Sequence, residues 1–176
     1  MKREEGFTLV ELLAIMAVVA VMLTIGAWAV RNFWLVRSLH GAQQEITTQL
    51  RTAQQQVMAE SVPLVYGVGF LEGTNRWQIV QYNTTTGTCA GTGPRTLEAG
   101  VLISDVEFES TVSGVDTTAW VTACKSVINA ANDAFVFFLP RGTATAGTVT
   151  VIQNNLDPAR TRSLEVLGLS GKVRTI

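Results

Sequence analysis

Glu11 is the residue of this sequence with the clearest chemical implication. Its carboxylate is the only charged group between Phe7 and Val30, a run of 24 residues without Lys, Arg, Asp, Asn or Pro. As an α-helix rising about 1.5 Å per residue, such a run spans roughly 36 Å, enough to cross a hydrocarbon core of about 30 Å. A carboxylate in such a helix is costly unless a positive group compensates it. The sequence therefore predicts a membrane-spanning helix whose carboxylate has a functional partner.

Other residue patterns offer little for catalysis. Gly171 and Lys172 resemble part of a phosphate loop, but the upstream glycine and the following Ser or Thr are missing. The segment Gly168–Gly171 lacks the spacing of a nucleophile elbow. His40, the single histidine, falls on a glutamine-rich helix with no evident partner, so we expect it to be solvated. We therefore expect neither an enzyme nor a bound cofactor.

Two groups of residues raise the question of metal binding. Two cysteines and one histidine cannot form a standard zinc site. Asp105, Glu107 and Glu109 alternate along a predicted strand, which is typical either of a cation-binding face or of the solvent face of an amphipathic strand. We favour the solvent face and predict no metal. The net charge of −1 gives no global nucleic-acid signature, so such binding would need a local basic patch.

After Val30 the apolar run gives way to an amphipathic helical pattern. Leu39, Ile46 and Ala53 recur every seven residues, and Leu50 and Val57 form a second row between them. Pro63 and the β-rich sequence after it predict that the helix ends near Glu60. One helix of about 50 residues should thus be apolar in its first half and covered by a domain in its second.

The rest of the chain favours β-structure. Strands are predicted over Leu64–Phe70, Trp77–Tyr82, Val101–Phe108, Ala134–Leu139, Thr148–Gln153, Ser163–Leu167 and Lys172–Ile176. Gly142–Gly147 should be a hairpin turn and Asn83–Pro94 a surface loop, whereas Thr111–Asn132 fits a loop or a short helix around Ser126–Ala131. Trp77 and Trp120 are expected in the core. The predicted fold is α+β: a long N-terminal helix packed on a small antiparallel β-sheet domain.

Both ends of the chain resemble a known superfamily. The charged leader Met1–Gly6, the Gly6-Phe7 junction and Glu11 are similar to the class III signal of type IV pilins and pseudopilins. Near the other end, Phe137–Gly142, Ser163–Val166 and Gly168–Arg174 resemble the GspH/FimT-like minor pilins and pseudopilins. Lys172 stands where that group commonly has an arginine, which keeps the charge but loses the bidentate fork.

The resemblance implies how the chain is processed and assembled. A prepilin peptidase would cut after Gly6, Phe7 would become an N-methylated terminus, and Glu11 would meet the Phe7 amine of a neighbouring subunit in a filament. The implied partners are other pilin or pseudopilin subunits, the peptidase, the inner-membrane assembly platform and the membrane itself. The implied segments are a leader (1–6), a transmembrane or filament-core helix (7–30), an amphipathic helix (31–61) and a globular β domain (62–176).

The membrane helix also indicates a compartment for the cysteines. Lys2 and Arg3 fit a cytoplasmic N-terminus, which places the remainder outside the bacterial inner membrane. Disulfides persist there, so we favour a Cys89–Cys124 bridge over two free thiols. The loop-entropy relation gives such a bridge about 3–4 kcal/mol of stabilisation.

Two roles follow from the resemblance. In one, a minor pilin contacts double-stranded DNA during natural transformation through Arg160, Arg162, Lys172 and Arg174. In the other, a pseudopilin acts in type II protein secretion, and the same basic residues form a solvated strand edge or a subunit contact. A membrane-anchored binding module is the alternative from another class.

Overall fold

The computed structural model describes residues 9–60, 63–128, 134–153 and 160–176. The chain divides into two compact units, Met1–Leu35 and Val36–Ile176. The helices are α1 (Leu9–Ala59) and α2 (Thr118–Ile128). The strands are β1 (Leu64–Phe70), β2 (Arg76–Asn83), β3 (Thr88–Gly91), β4 (Arg95–Thr96), β5 (Val101–Phe108), β6 (Thr111–Val112), β7 (Val115–Asp116), β8 (Phe135–Phe138), β9 (Gly147–Gln153), β10 (Arg160–Leu167) and β11 (Lys172–Thr175).

The first unit presents an apolar helical surface. Between Leu9 and Trp34 the large hydrophobic side chains are 48–76% exposed. An 18-residue window of α1 has a mean hydropathy of 2.5, so by length and composition the helix can cross a membrane. The predicted membrane helix is therefore helical from Leu9 onward.

The second unit contains two antiparallel sheets. Sheet A has the strand order β3-β2-β1-β8, with β4 also paired to β2, and sheet B has the order β11-β10-β9-β5. A short ribbon, β6-β7, pairs with neither sheet. The predicted α+β class is confirmed, but two sheets take the place of the single sheet that we expected.

The second half of α1 supplies the centre of the main core. Leu39, Ile46, Leu50, Ala53 and Val57 are each at most 1% exposed, which confirms the predicted stripe. They share one cluster with apolar residues from both sheets, such as those of β1, β9 and β10. The helix ends at Ala59, as Pro63 predicted. One helical face thus holds the two sheets to a common core.

The central strands of sheet A, β1 and β8, are buried on both faces, because α2 covers the face opposite α1. Trp120 and Cys124 of α2 pack in a second cluster with Phe135 and Phe137 of β8. A strand buried on both faces should read as a continuous apolar run, as β8 does. Gly69 permits the close approach, because a Cβ there would collide with Ile128 of α2. The Cys89–Cys124 disulfide joins β3 to α2 and confirms the predicted pairing.

The prediction of a hairpin turn at Gly142–Gly147 is wrong, because the strands on its two sides do not pair with each other. The chain does turn there, with Leu139 N donating to Thr143 O at 2.8 Å. However, β8 pairs with β1, whereas β9 lies between β10 and β5. The burial of each strand explains the difference: β8 is buried on both faces and suits sheet A, but β9 alternates and suits the half-exposed sheet B.

The middle of the chain also departs from the prediction. Strand β3 forms within the expected loop Asn83–Pro94. Helix α2 begins at Thr118 rather than near Ser126, and residues 129–131 of the expected helix lie outside the described residues. Asp116 lies just before the helix, and its carboxylate accepts hydrogen bonds from the backbone N (2.9 Å) and hydroxyl (2.6 Å) of Thr118, the first helical residue. The same hydrogen bonds lower the pKa of Asp116.

A polar network fixes the end of α1 against sheet A. The Tyr66 hydroxyl donates to the Glu60 carboxylate and accepts a hydrogen bond from Gln81 Nε2 at 2.9 Å. Burial, followed by the Glu60 hydrogen bond and its negative charge, raises the pKa of Tyr66 to about 12.

We expect this tyrosine to stabilise the domain in a pH-dependent way. Because its pKa in the folded state lies above the ordinary value of about 10, its contribution is complete below pH 10. The contribution is lost as the pH rises through about 12. Ultraviolet titration of tyrosinate should show this late step, and Tyr66→Phe should remove it. A Glu60→Gln variant that titrates identically would contradict the role of Glu60.

Candidate functional site

The N-terminal candidate site is described from Leu9 onward. Gly6 and Phe7, the expected cleavage and methylation residues, lie outside the described residues. Glu11 is exposed and lies in the first turn of α1. Its neighbours Leu9, Val10 and Leu12 are at least half exposed. This segment therefore combines an open apolar surface with one carboxylate.

The four basic residues near the C-terminus do not share one face of sheet B. Leu164 and Thr175 are partners in the β10–β11 register, as are Glu165 and Arg174. Because side chains alternate along a strand, Arg160 and Arg162 lie on the face of buried Leu164, towards α1. Lys172 and Arg174 lie on the opposite, outer face. The structure thus divides the candidate DNA-contacting residues into two pairs.

The outer pair is partly engaged within the sheet. Arg174 Nε lies 3.4 Å from Glu165 Oε2, and both side chains reach solvent. An exposed pair of this kind contributes little stability, typically below about 1 kcal/mol, but it does offset the local charge. Lys172 is exposed at the start of β11. This face is therefore less positive than the sequence alone indicates.

The inner pair reaches α1. Arg162 Nη2 lies 3.1 Å from His40 Nε2. Since a guanidinium can only donate, His40 Nε2 is the acceptor in this contact. The expectation that His40 is exposed is correct, but the expectation that it has no partner is wrong. The contact joins residues 122 positions apart, so no local pattern could reveal it.

A glutamine of α1 contacts two of the segments that resemble GspH/FimT-like proteins, Phe137–Gly142 and Gly168–Arg174. Gln54 Nε2 donates to Gly142 O at 3.4 Å and to Ser170 O at 3.2 Å. Gly171 has a positive φ of 58°, and a Cβ there would collide with Gly142 O. Glycine is thus required where the Pro140–Gly142 turn meets the β10–β11 turn. The two motifs form one structural unit on the helix.

The three alternating acidic residues, Asp105, Glu107 and Glu109, lie at the solvent-exposed surface. Asp105 and Glu107 are exposed on β5, an edge strand of sheet B, and Glu109 is exposed just beyond it. Their strand partners on β9 are Thr150 and Thr148. Charged side chains on an edge strand also oppose edge-to-edge association.

Known proteins match both parts of the chain. Residues 1–27 match the prokaryotic N-terminal methylation motif, and residues 42–170 match the type II transport protein GspH. A structure of the minor pseudopilin EpsH from the type 2 secretion system of Vibrio cholerae is similar, with a TM-score of 0.52 and 14% identity over 79% of this chain and 96% of that chain. A second EpsH structure from Vibrio cholerae gives a TM-score of 0.49 and 14% identity, over 79% and 92%. No curated protein matches.

The likeness to EpsH concerns the fold, whereas the match to GspH covers most of the chain and decides the family. The family is that of the type II transport protein GspH, and the fold is shared with the minor pseudopilin EpsH. The methylation motif and the apolar N-terminal helix indicate a membrane anchor followed by a C-terminal domain. The chain belongs to the GspH family of type IV pilin-like proteins.

Proposed function

We propose that this chain is a non-enzymatic minor pseudopilin that assembles into a filament acting in type II protein secretion. The observation that carries the proposal is the contrast within α1. Its first part exposes an apolar surface, whereas the stripe from Leu39 to Val57 is fully buried in the domain. A large exposed apolar surface requires a membrane or a protein partner. A subunit that passes from a bilayer into a filament uses both.

The membership of the GspH family supports the processing steps of this proposal. A prepilin peptidase cleaves after Gly6, and the new amino group of Phe7 is methylated. The processed chain then enters a filament with other pilin-like subunits at the inner-membrane assembly platform. The globular domain lies outside the bacterial inner membrane, where the Cys89–Cys124 disulfide is stable.

Glu11 sets the register between subunits in this proposal. The carboxylate of one subunit meets the Phe7 amine of its neighbour within apolar surroundings. An opposite charge at short range offsets the desolvation of both groups, and it does so only where the two atoms meet. A charge pair in an otherwise uniform apolar surface therefore selects one axial position.

We expect Glu11→Ala to reduce incorporation into filaments while the domain still folds. Removing one partner of a desolvated ion pair costs about 3–5 kcal/mol, which corresponds to a loss of at least about 100-fold in the assembly equilibrium. Incorporation is measured from the subunit recovered in sheared or affinity-purified filaments, after formation of the Cys89–Cys124 bond has been checked. Glu109→Ala, which removes an exposed carboxylate of the domain, is the matched control. Normal entry of the Glu11→Ala chain into filaments would refute the role of Glu11.

DNA contact is a second candidate function, supported by exposed basic side chains on both faces of the β10–β11 hairpin. Arg160, Arg162, Lys172 and Arg174 would contact phosphates without reading base sequence. A rigid duplex approaches one face of a sheet at a time. The geometry therefore requires one of the two pairs, Arg160–Arg162 or Lys172–Arg174, to contribute most of the DNA affinity.

If the chain binds DNA, its affinity for duplex DNA should fall steeply with salt, and the two faces should respond unequally to charge reversal. The measurement is fluorescence anisotropy of labelled duplex DNA with the full chain in detergent, across a salt series. Arg162→Glu and Arg174→Glu are compared singly and together. Unchanged affinity in the double variant would rule out DNA contact through this hairpin, and equal losses in the single variants would contradict the dominance of one face.

A further inference from the structure

A polar groove lies between α1 and the β10–β11 hairpin, entirely within the second unit. It has a volume of about 560 Å³. The side chains of α1 that line it recur every three or four residues, which places them on one helical face. Among the described residues, the lining consists of His40, Gln43, Gln44, Thr47, Thr48, Arg51, Arg162, Thr175 and Ile176.

The charge of this groove is positive. Arg51 on the helix and Arg162 on β10 both line it, and no Asp or Glu side chain is among its described lining residues. Even with a backbone carboxyl group at Ile176, the two guanidinium groups leave a net positive wall. Glu45, the acidic residue of this helical segment, interacts instead with Arg95 and Glu98. The positive groups thus face the groove without a compensating acidic side chain from α1.

The groove is held in shape by contacts at its base. Gln43 is 6% exposed, and its Nε2 donates to Ser163 O on β10 at 3.1 Å. Next to it, Arg162 donates to His40. One buried amide and one exposed contact thus fix the distance between the helix and the strand. Arg162 keeps further N–H donors for a ligand, because a guanidinium has five.

We propose that this groove is a binding site for a phosphate group, held by the guanidinium groups of Arg51 and Arg162 beside the imidazole of His40. Guanidinium groups match the geometry of phosphate oxygens and form charge-assisted hydrogen bonds with them. The phosphate belongs either to a free small molecule or to an anionic lipid headgroup, since both present negatively charged phosphoryl oxygens. This site is separate from the outer face of sheet B, where Lys172 and Arg174 lie.

His40 provides a direct probe, because it is the single histidine of the chain. Its imidazole proton resonances can be followed by NMR in the full chain without ambiguity of assignment. In maltoside detergent, added inorganic phosphate or pyrophosphate should shift these resonances to a saturating end point. Sodium chloride at the same ionic strength should not. If neither these anions nor the lipids described next produce a saturable shift of the His40 resonances, the proposal is overturned.

The lipid arm separates the two sources of phosphate. The chain is reconstituted into nanodiscs of phosphatidylcholine alone or with phosphatidylglycerol added. If the ligand is a lipid headgroup, the phosphatidylglycerol discs produce the His40 shift by themselves and weaken the effect of added phosphate. If the ligand is free, added phosphate acts equally in both kinds of disc. A shift produced by duplex DNA alone would overturn the proposal in favour of a nucleic-acid site.

Matched variants show whether the groove itself binds. Arg51→Gln and Arg162→Gln should each weaken phosphate affinity about tenfold or more, because each removes charge-assisted hydrogen bonds. Arg174→Gln removes the same charge from the opposite face of the same hairpin and should leave the affinity unchanged. All three residues are exposed, so we expect each variant to fold. Loss of binding in Arg174→Gln, or full binding in both groove variants, would refute this site.

Discussion

The structure depends on one helical face that binds two sheets at once. Leu39, Ile46, Leu50 and Val57 pack against apolar residues of sheets A and B in a single cluster. Removal of each of these side chains from water contributes about 1.5–3 kcal/mol to folding. The same helix exposes its apolar residues before Leu35. The domain thus fixes the second part of α1 and leaves the first part available to other surfaces.

Polar groups of α1 specify how the sheets are placed on that helix. Gln43 binds the backbone of β10, and Gln54 binds the two turns around Gly142 and Ser170. Apolar packing is not directional, whereas a buried amide must satisfy its hydrogen bonds in one geometry. The glutamine-rich composition of this helix therefore reflects specificity as well as solubility. The docking of α1 on β10 also places Arg162 next to His40. The polar groove is therefore a consequence of how the helix is docked.

The features that the sequence predicts correctly are local and periodic. The stripe from Leu39 to Val57, the helix end before Pro63 and the β1 and β5 strands follow from spacing and from β-branched or aromatic composition. The prepilin motif around Glu11 is contiguous, so it was also evident. The disulfide could be predicted because two cysteines allow a single intramolecular pairing once the compartment is known. These features need no knowledge of which strands are neighbours.

The rest depends on contacts between distant positions. The partner of β8 is β1, far away in sequence, and the glycine-rich turn after β8 gave no indication of the change of sheet. Helix α2 is rich in Thr and Val, which disfavour helices intrinsically, and its packing through Trp120 and Cys124 overrides that preference. The division of the basic residues follows from the β10–β11 register, and the groove requires α1 and β10 to be adjacent. No single segment encodes either arrangement.

The central position of β1 has a consequence for how the domain opens. This strand is paired on both edges, with β2 and β8, and is packed on both faces, by α1 and α2. Its amides can meet solvent only when the entire domain opens, whereas β11 is an edge strand that can fray alone. Slow hydrogen exchange at Val68 therefore reports the global free energy of unfolding. Faster exchange in β11 reports local fluctuations of the hairpin that borders the groove.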